Sequence, residues 1–119
     1  MNKNELIKSI NETEIDNAKI QEFEKKYGEL PEFIKKMISY LDHSVFIDDA
    51  EDTRLISFIE LKNIEEDLDV AFSKLNILPL FDCSDNNFIV YNLNTNKWNY
   101  FNISDEALFN EKIFLEEIL

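Results

Sequence analysis

The chain has 119 residues, 45% of them hydrophobic and 13% aromatic, and a net charge of −13. That is the length of one domain with ample core material, which excludes a disordered chain. One glycine, two prolines and one cysteine exclude flexible linkers, a glycine-lined phosphate loop and a disulfide framework.

A short polar helix is expected over Asn4–Ile10, followed by a longer one over Glu12–Tyr27. In the second, Ile20, Phe23 and Tyr27 repeat at helical spacing, Ile15 and Ala18 extend the apolar side, and Gly28 stands where the helix should stop. Pro31 opens a third helix running to about Leu41, with Ile34, Met37, Ile38 and Leu41 on one stripe and Lys35 and Lys36 facing away. Val45–Ile47 and Arg54–Leu61 read as strands, separated by the acidic stretch Asp48–Asp52. Asn63, with Glu66 three residues on, predicts the start of a helix whose apolar face is Ile64, Leu68, Ala71, Phe72 and Leu75. Three strands then follow at Ile77–Phe81, Asn87–Leu93 and Trp98–Ile103, the last two joined by the turn Asn94-Thr95-Asn96-Lys97. Ser104 caps a helical turn and Ile113–Leu119 closes the chain as a helix. The sum is an α+β domain: a mostly antiparallel sheet of about five strands, with helices at the N-terminus, middle and C-terminus.

The charge is distributed unevenly. Residues 1–41 carry eight acids and seven lysines, whereas residues 42–119 carry seventeen acids and five bases, a net of −12. Such a field repels nucleic acid and anionic lipid and speeds encounters with basic partners. No apolar run approaches the ~20 residues of a membrane span, and the polar N-terminus is unlike a signal peptide. A cytoplasmic protein is the expectation, and a single cysteine fits a reducing compartment.

Catalytic arrangements are not legible, and the expectation is a protein that is not an enzyme and needs no cofactor. His43 is the only histidine, which excludes a two-histidine metal site. Cys83 and His43 lie forty residues apart, and a lone cysteine at a strand end is ordinarily a small buried hydrophobe. Asp48, Asp49, Glu51 and Asp52 lack the alternating spacing and the later glutamate of a calcium loop. Four carboxylates in five residues commonly make a solvated loop; the functional alternative is an acidic hook for an Arg- or Lys-lined partner. Asp82 and Asp85, in the polar loop between two strands, are the next candidates. Trp98, Tyr100, Phe101, Phe88 and Tyr91 fall on paired strands, where aromatic residues build cross-strand pairs and core. A nucleic-acid-binding sheet would set such rings among lysines and arginines. Here they stand among acids and asparagines, so no direct nucleic-acid binding is expected.

The stretch Phe23-Glu24-Lys25-Lys26-Tyr27-Gly28-Glu29-Leu30-Pro31-Glu32-Phe33 resembles the opening signature of the SUKH (SMI/KNR-like) superfamily: a helix ending in F-E-x-x-Y/L-G, then L-P and a second helix. The block from Leu78 to Tyr91 is similar to the family's strand, small polar loop and strand. Trp98 and the closing Phe114-Leu115-Glu116-Glu117-Ile118-Leu119 sit where the family has a hairpin strand and a final helix. The resemblance spans roughly residues 13–119 of a single domain occupying 1–119. It departs at the polar loop, often glycine-rich in the family but reading Asp82-Cys83-Ser84-Asp85-Asn86-Asn87 here, and at Asp42-His43-Ser44, where N-G is usual. The resemblance implies helices packed on a mostly antiparallel sheet. For bacterial members it implies an immunity protein that binds and neutralises a polymorphic toxin, often a nuclease. Other members, including a fungal cell-wall-assembly regulator, are interaction modules without known catalysis, which gives the alternative of a regulatory protein-interaction module with no toxin partner. The expected partner is therefore a protein, a basic toxin domain, met by Asp48, Asp49, Glu51, Asp52, Asp82 and Asp85.

Overall fold

The computed structural model describes residues 1–119 and has six helices and six strands. In chain order these are α1 (Lys3–Asn11), α2 (Asn17–Tyr27), α3 (Glu32–Tyr40), β1 (Val45–Phe46), β2 (Arg54–Leu55), α4 (Phe58–Leu68), α5 (Phe72–Leu75), β3 (Ile77–Asp82), β4 (Asn87–Asn92), β5 (Lys97–Asn102), β6 (Ala107–Lys112) and α6 (Leu115–Ile118). The strands form one sheet in sequence order, each antiparallel to its neighbours. This is an α+β fold with one strand more than expected.

Capping sets where the helices begin. The Asp16 carboxylate accepts from the Ala18 and Lys19 amides, so α2 starts at Asn17 and not at Glu12. It stops at Gly28, whose φ of 83° lies in the left-handed region. The expected strand Arg54–Leu61 ends at Leu55, because Ser57 and Glu60 form a reciprocal capping box that turns the next residues into α4. The capping pair is therefore Ser57 and Glu60, six residues ahead of the expected Asn63 and Glu66. The helix then ends at Asp69, left-handed at φ 53°, so Phe72 and Leu75 belong to the separate short α5.

The expected helical turn after Ser104 is a hairpin turn leading into β6. Asn102 Oδ1 accepts the Asp105 amide, Glu106 is left-handed at φ 49°, and Ala107–Lys112 pairs with β5. Nearly every β6 side chain is exposed, so the strand lacks the alternating pattern that betrays its neighbours. A bulge opposite Asn99, with Asn110 at φ 56°, interrupts it.

A single core cluster of 27 buried residues joins the layers. On one sheet face Phe72 of α5 meets Phe88 and Phe101 edge-on, with ring centroids 6.5 and 5.6 Å apart. The other face carries Tyr91 against Trp98 at 5.1 Å, and the Tyr100 hydroxyl donates to the Ile118 carbonyl of α6. Helices α1 and α2 both pack on α3. Lys19 ties that cap together: Nζ donates to the Ser39 and Leu41 carbonyls at the end of α3 and lies 5.3 Å over the Phe58 ring. No helix is long and apolar enough to cross a membrane.

Candidate functional site

The strand register gathers the acidic segments. Arg54 pairs with Asp82, Asp82 with Phe88, Asn87 with Asn102, and Asn102 with Ala107. The loops 47–53, 83–86 and 103–106 therefore all emerge at one end of the sheet. Between them they carry Asp48, Asp49, Glu51, Asp52, Asp85, Asp105 and Glu106, with Asp82 at the strand end beside them. The first loop is closed by the Ile47 amide donating to the Thr53 carbonyl, both residues buried, so the four carboxylates are held outward. In the second loop Ser84, Asp85 and Asn86 are successively left-handed, at φ 61°, 51° and 64°. Glycine adopts that conformation freely; Asp and Asn tolerate it better than other side chains.

The six expected contact residues divide into two groups. Asp48 lies 2.7 Å from the Met1 amino group, and Asp49 accepts the Lys3 amide at 2.9 Å. Asp82 receives Arg54 Nη2 at 3.1 Å on one oxygen and the Ser84 amide at 2.9 Å on the other. Glu51, Asp52 and Asp85 are exposed, and their carboxylates take no bond from within the chain. Those three are the free charges.

Arg54 is the one basic side chain on the strands and loops of this end, the Met1 amino group being the other cation there. Its guanidinium grips Glu60 with two bonds of 2.9 and 2.8 Å, and also reaches Ser44 Oγ at 3.0 Å. The bidentate bond to Arg54 holds the Glu60 carboxyl below its ordinary range, helped by the Ser57 amide, and burial opposes this only in part. With Asp82 as well as Glu60 on it, Arg54 is fully occupied. The end of the sheet thus presents negative potential outward.

Phe46 stands out at this end, and the sequence alone does not mark it. It lies on edge strand β1 opposite Arg54 and is 67% exposed, bordering a shallow depression shared with Asp52, Arg54, Asp82 and Ser84. The available signal was strand alternation, which turns Val45 and Ile47 inward and Phe46 outward. Cys83 and His43 do not join this arrangement. Burial pushes the Cys83 thiol up to about 11, so it stays protonated at neutral pH. His43 projects from the loop between α3 and β1, its Nε2 3.6 Å from an Asp42 carboxylate oxygen.

An exposed aromatic with carboxylates beside it can bury its ring in a partner while those carboxylates meet cations. No protein-family model, no curated protein and no solved structure matches this chain.

Proposed function

We propose that this chain is a non-catalytic, immunity-type protein of SUKH-like character, which binds a cognate toxin through the acidic end of its sheet and occludes a basic surface. One observation carries the reading: three loops, far apart in sequence, bring eight carboxylates to one end of the sheet, and the exposed ring of Phe46 stands at the β1 edge of that end beside Asp52 and Asp82. A nuclease must hold phosphates with lysines and arginines, so a fixed array of carboxylates competes by resembling the substrate's charge. In this reading Glu51, Asp52 and Asp85 make the direct ion pairs, and Phe46 is the apolar anchor. Asp48, Asp49 and Asp82 add field from positions fixed by internal bonds. The resemblance adds independent support, since its glycine-rich loop falls where this chain holds Ser84, Asp85 and Asn86 at positive φ.

The test is whether a neighbouring reading frame encodes a large protein ending in a basic domain, followed by co-expression of the chain with that domain. Rescue of growth by the wild-type chain, and its loss in Phe46→Ala combined with Glu51→Lys, is the expected outcome. Absence of rescue and of any complex by the wild-type chain would refute the immunity reading.

A further inference from the structure

The register sets Phe46, Arg54 and Asp82 opposite one another on β1, β2 and β3, so their side chains form one row on one sheet face. With Asp52 and Ser84 they line a depression of about 200 Å³. Small-molecule pockets begin at roughly 300 Å³, so this space suits one side chain of a partner better than a free metabolite.

The side chains of its wall offer acceptors and almost no donors. The Asp52 carboxylate takes no bond from within the chain. Asp82 accepts one bond on each oxygen, from Arg54 and from the Ser84 amide, and a carboxylate oxygen has room for a second. The Ser84 hydroxyl donates to the Cys83 carbonyl at 2.6 Å, which leaves its oxygen free to accept. Arg54 has little left to give: Nη1 donates to Ser44 and Glu60, and Nη2 to Glu60 and Asp82, so its terminal N–H groups are all engaged. Counting Glu60 beside Arg54, three carboxylates stand against one guanidinium, and an incoming cation is attracted in spite of Arg54. Beside these oxygens stands the ring of Phe46, 67% exposed.

The geometry points to this depression as a socket for an arginine side chain of the protein partner, with arginine preferred to lysine. The inference rests on the reading that the acidic end meets a cationic protein, and adds which cation it takes. A flat guanidinium can lie along the Phe46 ring while its forked N–H groups reach Asp52, Asp82 and Ser84. It is more weakly hydrated than an ammonium, so it loses less on leaving water for an aromatic face. A lysine ammonium, a compact and strongly hydrated charge, would pair with Asp52 and gain little from the ring. The acceptor is also in place beforehand. Asp52 sits at φ 56° in a loop closed by the Ile47 amide on the Thr53 carbonyl, so little ordering is needed on binding.

The test needs no toxin. The isotope-labelled chain is titrated with two peptides of equal charge, acetyl-Gly-Arg-Gly-amide and acetyl-Gly-Lys-Gly-amide, each to about 50 mM in about 150 mM salt, and its amide shifts are followed by NMR. The arginine peptide is expected to move the Phe46, Asp52 and Ser84 amides and to bind at least about threefold more tightly than the lysine peptide. Phe46→Leu keeps an apolar side chain without the ring and should erase that preference. Asp52→Asn suits the left-handed backbone and should weaken arginine binding at least about threefold. Glu14→Gln, beyond the other end of α1, also removes one charge and should change nothing. Equal affinity for the two peptides overturns the inference, as do shifts that leave Phe46, Asp52 and Ser84 unmoved and the absence of binding by either peptide. Those results would leave rescue of growth by the chain untouched, whereas failed rescue beside a clear arginine preference would count against the immunity reading alone.

Discussion

Arg54 neutralises two carboxylates of a strongly acidic end and joins the start of α4 to strands β2 and β3. Replacing it with Met leaves Glu60 and Asp82 facing one another without their cation. Because all three side chains are partly solvated, the expected cost is moderate, about 1 kcal/mol, read from the shift in urea midpoint. Glu60 gives this pair a defined pH dependence. Its carboxyl is depressed by Arg54 in the folded chain, so its contribution is complete above the unfolded value near 4.5 and is lost as pH falls through the lower folded value. Glu60→Gln should therefore lose less melting temperature on acidification below pH 4.5 than the wild type does. Equal acid sensitivity of the two proteins would show that the Arg54 contact does not operate in solution. The sequence displays Arg54 as one base among many acids, and nothing local shows that Glu60 and Asp82 both close on it. That fact depends on the antiparallel register of β2 and β3.

Among the elements, those whose signals are local were legible and those held by pairing alone were not. The stripe Ile34, Met37, Ile38 and Leu41 marked α3, and Gly28 marked the end of α2. Strands β3 and β4 showed as apolar runs because both their faces are covered, and β5 showed by its aromatic residues Trp98, Tyr100 and Phe101. The stretch Arg54–Leu61 misled because its apolar residues suit a strand, whereas the Ser57 and Glu60 capping box decides for helix. Ser57→Ala should cost about 1 kcal/mol and fray the first turn of α4, seen as lost amide-exchange protection over residues 58–61. Strand β6 was missed because its side chains face water and carry no core pattern. Gly28 offers a sharper test. At φ 83° and ψ −164° it sits in a region reserved for glycine, although nothing lies within 4 Å of where a Cβ would be. Gly28→Ala should thus cost about 1–3 kcal/mol through backbone strain alone. No loss of stability would mean that the link between α2 and α3 relaxes without penalty.

For the whole molecule, the asymmetry of charge was readable as a net −12 after residue 41, but its convergence was not. Asp52 and Asp85 are distant in sequence and are brought to one end only by the order of the strands. Six acidic positions were legible as candidates; the division into three free and three internally bonded carboxylates, and the presence of Phe46 among them, needed the fold. The molecule consequently has one acidic end suited to a cationic partner. The electrostatic reading proposed above is tested most directly by the association rate with the proposed partner, a basic toxin domain, followed from roughly 50 to 500 mM salt. The wild type is compared with the triple variant Glu51→Lys, Asp52→Asn, Asp85→Asn, in which asparagine preserves the two left-handed positions. The wild-type rate should fall at least about tenfold with salt, and the variant should associate more slowly at low salt with a flatter dependence. Identical rates and identical salt dependence in the two proteins would contradict the account.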